Sequence, residues 1–217
     1  IAADDERDLH RVTRDILIEE GTDIIITWNG NGFDWPYMRD RCTAVPEERN
    51  WAEFELLGKL KLHKCAFMDK AMASGARGDQ RLKYYSMPGR MNLDVMQWYM
   101  QNYKRASYKL DTVCREHTGE HKVDLHYSLI KPHFYGSAES RRELMVYNFG
   151  DVDILRRLCD MLGVWGDQIE QSRVSRVIME RLSTHGQGIK VVSQANAKCK
   201  SMPDSIYDFV LNNHNQK

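Results

Sequence analysis

The order of segments predicts an α/β domain whose later part is mostly helical. Residues 22–38, TDIIITWNGNGFDWPYM, run from an isoleucine triplet into an Asn- and Gly-rich loop, then into a segment with Pro36 in its first turn. Residues 90–95 repeat a short strand-like pattern after the Pro88-Gly89 turn, and beyond residue 137 apolar residues recur at helical spacing.

Taken in order, residues 4–20 read as a helix, because Leu9, Val12, Ile16 and Leu17 share one face and Gly21 can end it. Residues 23–28 read as a strand buried on both faces, since three consecutive isoleucines show no alternation. The loop 29–32 follows, where Asn and Gly tolerate positive φ. A helix is expected from Asp34 to about Cys42, with Pro36 where a missing N–H does no harm. Residues 43–90 are less regular, with 73–79 read as a hairpin tip or exposed loop. A short strand over 90–95 leads to a helix through Tyr103, and 110–117 is another short helix. Residues 137–163 form a long helix, a further one begins near Gln168, residues 185–188 interrupt, and 189–199 resume. The tail, NNHNQK, is polar and reads as frayed.

The chain has 217 residues, 42% hydrophobic and 29% charged, enough to bury a core. No apolar run approaches the roughly 18 to 20 residues of a membrane span, so no membrane partner is expected. Basic and acidic residues number 31 each, so net charge leaves no electrostatic footprint for nucleic acid. Five scattered cysteines without a CxxC pair argue against a disulfide framework or a zinc site, and for a reducing, intracellular compartment. The acidic start lacks the order of a signal peptide, and without an initiator Met the chain is expected to be a piece of something longer.

Two carboxylates stand out. On the long helix the apolar seam runs Leu144, Tyr147, Ile154, Leu155, Leu158, Met161, Leu162 and Trp165, and Asp151 falls within it. Asp153, Arg156, Arg157 and Asp160 occupy the outer face. An inward carboxylate is costly unless paired, hydrogen-bonded or bound to a cation. Asp151 reads either as a structural ion pair or as a metal ligand, with Tyr147 one turn away on the same face. Asp34 alone reads as an N-cap. Together the two are carboxylates from different elements aimed at the sheet, the usual way of holding a hard cation such as Mg²⁺.

The segments WNGNGFDWPY (28–37) and YNFGD (147–151) resemble the second and third exonuclease motifs of family B DNA polymerases. Between them, 89–130 is similar to the segment that delta-type polymerases and their large-virus relatives carry there, and HGQGIKVVSQ (185–194) resembles a further delta-type stretch. The resemblance implies a proofreading 3′→5′ exonuclease domain with the ribonuclease-H-like fold, a mixed sheet flanked by helices, here incomplete at its N-terminus. It implies a domain over 1–165 lacking its first strands and first motif, and a helical segment over 166–217 leading toward a polymerase domain. Carried over, Asp34 and Asp151 become metal ligands in a two-metal site for Mg²⁺ or Mn²⁺. Tyr147 orients the attacking water, Phe33 packs near the terminal nucleotide, and Asn29 fixes the loop or contacts substrate.

The implied partners are a single-stranded DNA 3′ end or primer-template, the rest of a polymerase chain, and a sliding clamp or accessory subunits. The implied location is the nucleus of a cellular source or the host cell of a viral one. The family's first motif, Asp-x-Glu on a strand, has no counterpart; residues 4–6 read as a solvated helix start. Gly32 and Gly150 stand where larger residues are common in the motifs. The isolated chain is therefore expected to cut DNA weakly or not at all. The alternatives are a non-catalytic DNA-holding scaffold of the same fold and a free-standing exonuclease.

Asp94 reads as a strand-end structural residue or a further acidic neighbour of the site. His126 reads as a loop residue. Lys104, Arg105 and Lys109 with Tyr103 and Tyr108 read as a DNA-tracking cluster or a solvated face.

Overall fold

The computed structural model describes residues 3–44, 54–60, 63–74, 78–119 and 125–200. These fall into two compact units, one comprising residues 1–94 with 168–217, the other residues 95–167.

In the first unit, α1 (Glu6–Glu19) starts where the Asp5 carboxylate accepts the Asp8 N–H at 2.7 Å. That satisfies one of the N–H groups every helix start leaves open. Glu6 pairs with Arg41, which holds its carboxyl below the usual range, so residues 4–6 are a capped helix start as expected. Strand β1 (Ile24–Thr27) and α2 (Asp34–Ala44) follow, then a single 3₁₀ turn at Phe54–Leu56. The isoleucines of β1 are half-buried rather than buried on both faces, because the strand has one hydrogen-bonded neighbour among the described residues.

Strands β2 (Ala66–Ser74) and β3 (Gly78–Ser86) form an antiparallel hairpin of nine residues a side in the region read as irregular. Its tip, 75–77, lies outside the described residues. Strand β4 (Met91–Asp94) pairs in parallel with β1, Ile24 opposite Met91 and Thr27 opposite Asp94. Both strand directions occur, as two separate pairs. Trp35, Cys42, Leu57, Cys65, Leu82, Tyr84, Tyr85 and Met87 make the core of this unit. Tyr85 meets Trp35 and Phe67 edge-on, and burial pushes its hydroxyl up to about 12. Arg90, 4% exposed, has no need of a carboxylate: it donates to the carbonyls of Leu57 at 2.8 Å and Leu17 at 3.0 Å, and to that of Thr22. One guanidinium thereby ties the end of α1 to two loops.

In the second unit, α3 (Val95–Asn102) and α4 (Leu110–Thr118) are followed by α5 (Tyr127–Tyr135), which the sequence left as loop. His126 caps α5, its ring accepting the Ser128 N–H. The long helix α6 (Ala138–Met161) starts at a Ser137 cap and packs against α4 and α5. Its buried residues are Ile154, Leu155, Leu158 and Cys159. Met161, expected in the seam, is 58% exposed, since the seam drifts around the axis by the last turn. Helix α7 (Val164–Ser175) begins a turn earlier than expected, and its first residues close this unit, Trp98 Nε1 donating to Asp167 at 2.6 Å. The remaining helices, α8 (Met179–Thr184) and α9 (Gly188–Cys199), belong to the first unit, where α8 packs on β4. No described helix is long and apolar enough to cross a membrane.

Candidate active site

Parallel strands β1 and β4 end side by side, which places the loop after Thr27 next to Asp94. In α/β sheets, the space beyond the carboxyl ends of parallel strands is where ligands are bound. Asn29 sits at φ 67°, a left-handed conformation that Asn tolerates better than most residues. Its carbonyl accepts the N–H groups of Gly32 at 3.0 Å and Phe33 at 2.9 Å, and the Gly30 carbonyl accepts that of Trp35 at 3.0 Å. A side chain at Gly30 would collide with Thr27 at 2.3 Å, and one at Gly32 with the Asn29 amide at 2.4 Å. Gly30 is thus needed for a turn this tight, the Thr27 Cβ lying only 2.6 Å away, whereas at Gly32 the Asn29 side chain can turn aside.

The loop is anchored by Asp94, which is 0% exposed. Its two oxygens accept the backbone N–H groups of Asn29 at 2.9 Å and Asn31 at 3.0 Å. Such donors offset the hydration a carboxylate loses on burial. Asn92 donates to the Asn31 side chain at 3.2 Å, and Lys83 to the Asn31 carbonyl at 3.3 Å. Asp94 is therefore the strand-end structural residue, and the signal for its role was its position in the short strand after the Pro88-Gly89 turn. Sequence alone could not say which loop it holds.

This loop delivers Phe33 and Asp34, the latter being the first residue of α2. Phe33 is 64% and Tyr37 57% exposed, and their rings lie parallel within 6° at 6.1 Å. The Asp34 carboxyl is drawn above its ordinary pKa by partial desolvation, which outweighs a hydrogen bond from its own backbone. It has no ion pair among the described residues. The residue is itself exposed at the start of α2, beside the exposed rings of Phe33 and Tyr37.

In the second unit, Tyr147 and Asp151 lie one turn apart on α6, both half-buried, and one Asp151 oxygen is closed to solvent. On the outer face Asp153 pairs with Arg156 at 3.0 Å and Arg157 at 3.1 Å, as the pattern predicted. In the cluster around residues 103–109 the tyrosines pack, while Lys104 and Lys109 are exposed. Tyr99 and Tyr103 stack at 4.7 Å, Tyr108 meets Tyr99 edge-on, and Arg105 pairs with Glu116 at 2.7 Å.

Among the described residues, no three His, Cys, Asp or Glu side chains gather into a metal-holding group. Aspartate oxygens are donors of the kind that suit a hard cation, and Asp34 has no ion pair among the described residues. Asp34 belongs to the first unit and Asp151 to the second.

Glycine turn, buried anchor and forward-set aspartate meet at the end of two parallel strands. Residues 1–113 match the family model described as DNA polymerase family B, exonuclease domain. The chain belongs to that family. It is 35% identical over 197 residues to the DNA polymerase delta catalytic subunit of Oryza sativa subsp. japonica, covering 91% of this chain and 18% of that protein. To the subunit of the same name from Schizosaccharomyces pombe it is 36% identical over 172 residues, covering 79% and 16%. To that of Drosophila melanogaster it is 33% identical over 183 residues, covering 84% and 16%. The chain thus spans less than a fifth of the length of these curated relatives.

Proposed function

We propose that this chain is the proofreading 3′→5′ exonuclease region of a DNA-dependent DNA polymerase, with the ribonuclease-H-like arrangement. Residues 1–165 form the exonuclease part and 166–217 lead toward the polymerase part. The observation that carries the reading is Asp34: a partly desolvated carboxylate without an ion pair among the described residues, at a loop pinned by buried Asp94, in a chain of this family.

Asp34 and Asp151 are the side chains that hold Mg²⁺ or Mn²⁺ in a two-metal site. When bound, the ions neutralise charge on the attacking and leaving oxygens of the in-line displacement. The chain's own residues do the positioning. Phe33, largely exposed beside Asp34, packs against the terminal nucleotide of a DNA 3′ end. The Tyr147 hydroxyl, one turn from Asp151, orients the attacking water. Asn29, already committed through its backbone to the turn, fixes the loop rather than reading the substrate. The substrate is a single-stranded 3′ end of a primer-template, and the partners are the rest of the polymerase chain, with a clamp and accessory subunits. The eukaryotic sources of the relatives support a nuclear or host-cell setting.

In the full-length chain, Asp34→Ala is expected to lower Mg²⁺-dependent digestion of a 3′-labelled single strand about a thousandfold, the loss of several kcal/mol of charge stabilisation. Nucleotide incorporation should be nearly unchanged. Digestion that survives the substitution would point to the non-catalytic scaffold, and a parallel loss of incorporation to a folding defect.

A further inference from the structure

Arginines in this chain are nearly all satisfied by neighbours. Arg81 pairs with Asp69, Arg115 with Asp111, Arg156 with Asp153, and Arg173 with Glu170. Arg90 is spent on carbonyls, and Arg39 lies over the Phe67 ring at 4.3 Å.

Arg176 and Arg181 differ. Both are exposed, and among the described residues neither guanidinium has a hydrogen bond or ion pair. They line one cleft, about 550 Å³, between the α7–α8 connection and α9, together with Ser193 and Asn196. Arg176 also lines an adjoining cleft of about 520 Å³ with Gln194, Lys198 and Lys200. The described lining of both clefts contains four cations, several amide or hydroxyl groups, and no carboxylate. The nearby acids are engaged elsewhere: Glu170 with Arg173, and Glu180 accepting from Ser86 at 3.2 Å.

Arg176 is held where the two clefts meet. Its backbone is left-handed, at φ 56°, and its carbonyl accepts the Ser193 hydroxyl at 2.9 Å, tying the connection to α9. Next to it, the Val174 carbonyl accepts the Gln194 amide at 3.2 Å. Keeping a non-glycine residue in this conformation costs energy that the tie to α9 offsets. The result gathers four cations along two adjoining clefts of a chain with no net charge.

We propose that the face formed by Arg176, Arg181, Lys198 and Lys200 binds the sugar-phosphate backbone of DNA. Planar guanidiniums suit phosphate oxygens, and amide and hydroxyl groups beside them add backbone contacts without reading sequence. This site lies on helices after the exonuclease motifs and does not require Asp34 to cut.

The test is fluorescence anisotropy of the full-length chain with labelled single-stranded and duplex oligonucleotides, measured over a range of salt. Arg176→Ala with Arg181→Ala should weaken binding roughly five- to tenfold, and lower the slope of log K against log salt by about 1.4 for single strands or about 1.8 for duplex. The strand type showing the loss identifies the bound form. Arg176→Lys with Arg181→Lys should restore most of the affinity, because the charge is kept. Unchanged affinity and slope in the folded double-alanine protein would overturn the proposal. So would a lysine pair as weak as the alanine pair, which would mean packing rather than charge. Arg173→Ala, which removes a cation paired with Glu170 outside both clefts, should bind as wild type, and a loss as large as that of the double-alanine protein would overturn the proposal. Binding is measured without divalent metal and needs no cutting, so failure here is separable from failure of the nuclease reading.

Discussion

The two stretches that carry the candidate carboxylates are built in opposite ways. Around Asp34 nearly every polar backbone group of the loop is spoken for, and the anchor, Asp94, is sealed from solvent. Around Asp151 the helix is regular, but its flank presents Met145, Val146, Phe149 and Val152, each 57% to 67% exposed. The Asp34 stretch is set by a dense set of hydrogen bonds, including those to the remote Asp94. The Asp151 stretch lies on a regular helix whose buried packing is concentrated further along α6 at Ile154, Leu155 and Leu158. A tight turn has no freedom to lose when substrate arrives, whereas an exposed helix flank leaves ordering to be done.

The contrast breaks most visibly at Asp94. Asp94→Ala strands two buried N–H groups and should cost about 2–5 kcal/mol, read as a shifted denaturant midpoint. Asp151→Ala, at a half-buried helix position, should shift that midpoint by no more than about 1 kcal/mol while abolishing 3′ digestion by the full-length chain. Equal destabilisation by the two would erase the distinction drawn between the regions. Arg90→Met, which removes the donor to three carbonyls, should cost about 2–4 kcal/mol by the same measurement.

A subtler test uses pH. Desolvation raises the Asp34 pKa in the native state, so folding takes up a proton between the ordinary aspartate range and the raised value. Stability contributed by this group therefore falls as pH rises through that window, and the cost persists at neutral pH. Asp34→Asn should melt above wild type at pH 7 without divalent metal, and the gap should close below roughly pH 4. Added Mg²⁺ should raise the wild-type melting temperature and not the variant's. A wild type indifferent to Mg²⁺ would remove Asp34 as a ligand.

The smallest effect belongs to Gly150, in the interior of α6 beside Asp151, where a Cβ would meet nothing within 4 Å. Gly150→Ala should stabilise by roughly 0.5–1 kcal/mol in thermal unfolding. A loss instead would mean that the helix flank is more confined than its exposure indicates.

Elements with strong local grammar were legible before any coordinates. The Gly21 stop and the Pro36 first turn each satisfied or excused backbone groups within a few residues. Of the β2–β3 hairpin only the turn region, 73–79, was legible, as a hairpin tip or exposed loop; its strands were not, because stretches such as AFMDKAMAS carry charge, Ala and Met where strand alternation is expected. Helix α5 was hidden by Pro132 within it and by its exposed apolar residues, which blur any period. The half-burial of β1 was likewise misread, since an isoleucine run reports appetite for burial and not the number of neighbouring strands.

What the chain alone determined are the residue types and spacings that chemistry demands: an aspartate after a glycine turn, a Tyr-x₃-Asp on one helical face, and membership in a polymerase family. What folding decided is which remote group holds what. Asp94, more than sixty residues from the turn it clamps, meets Asn29 and Asn31 only because two parallel strands end together. Local patterns obey short-range sterics and capping, so they can be read along the sequence; the burial of a carboxylate against distant N–H groups depends on the packing of strands, and no spacing encodes it.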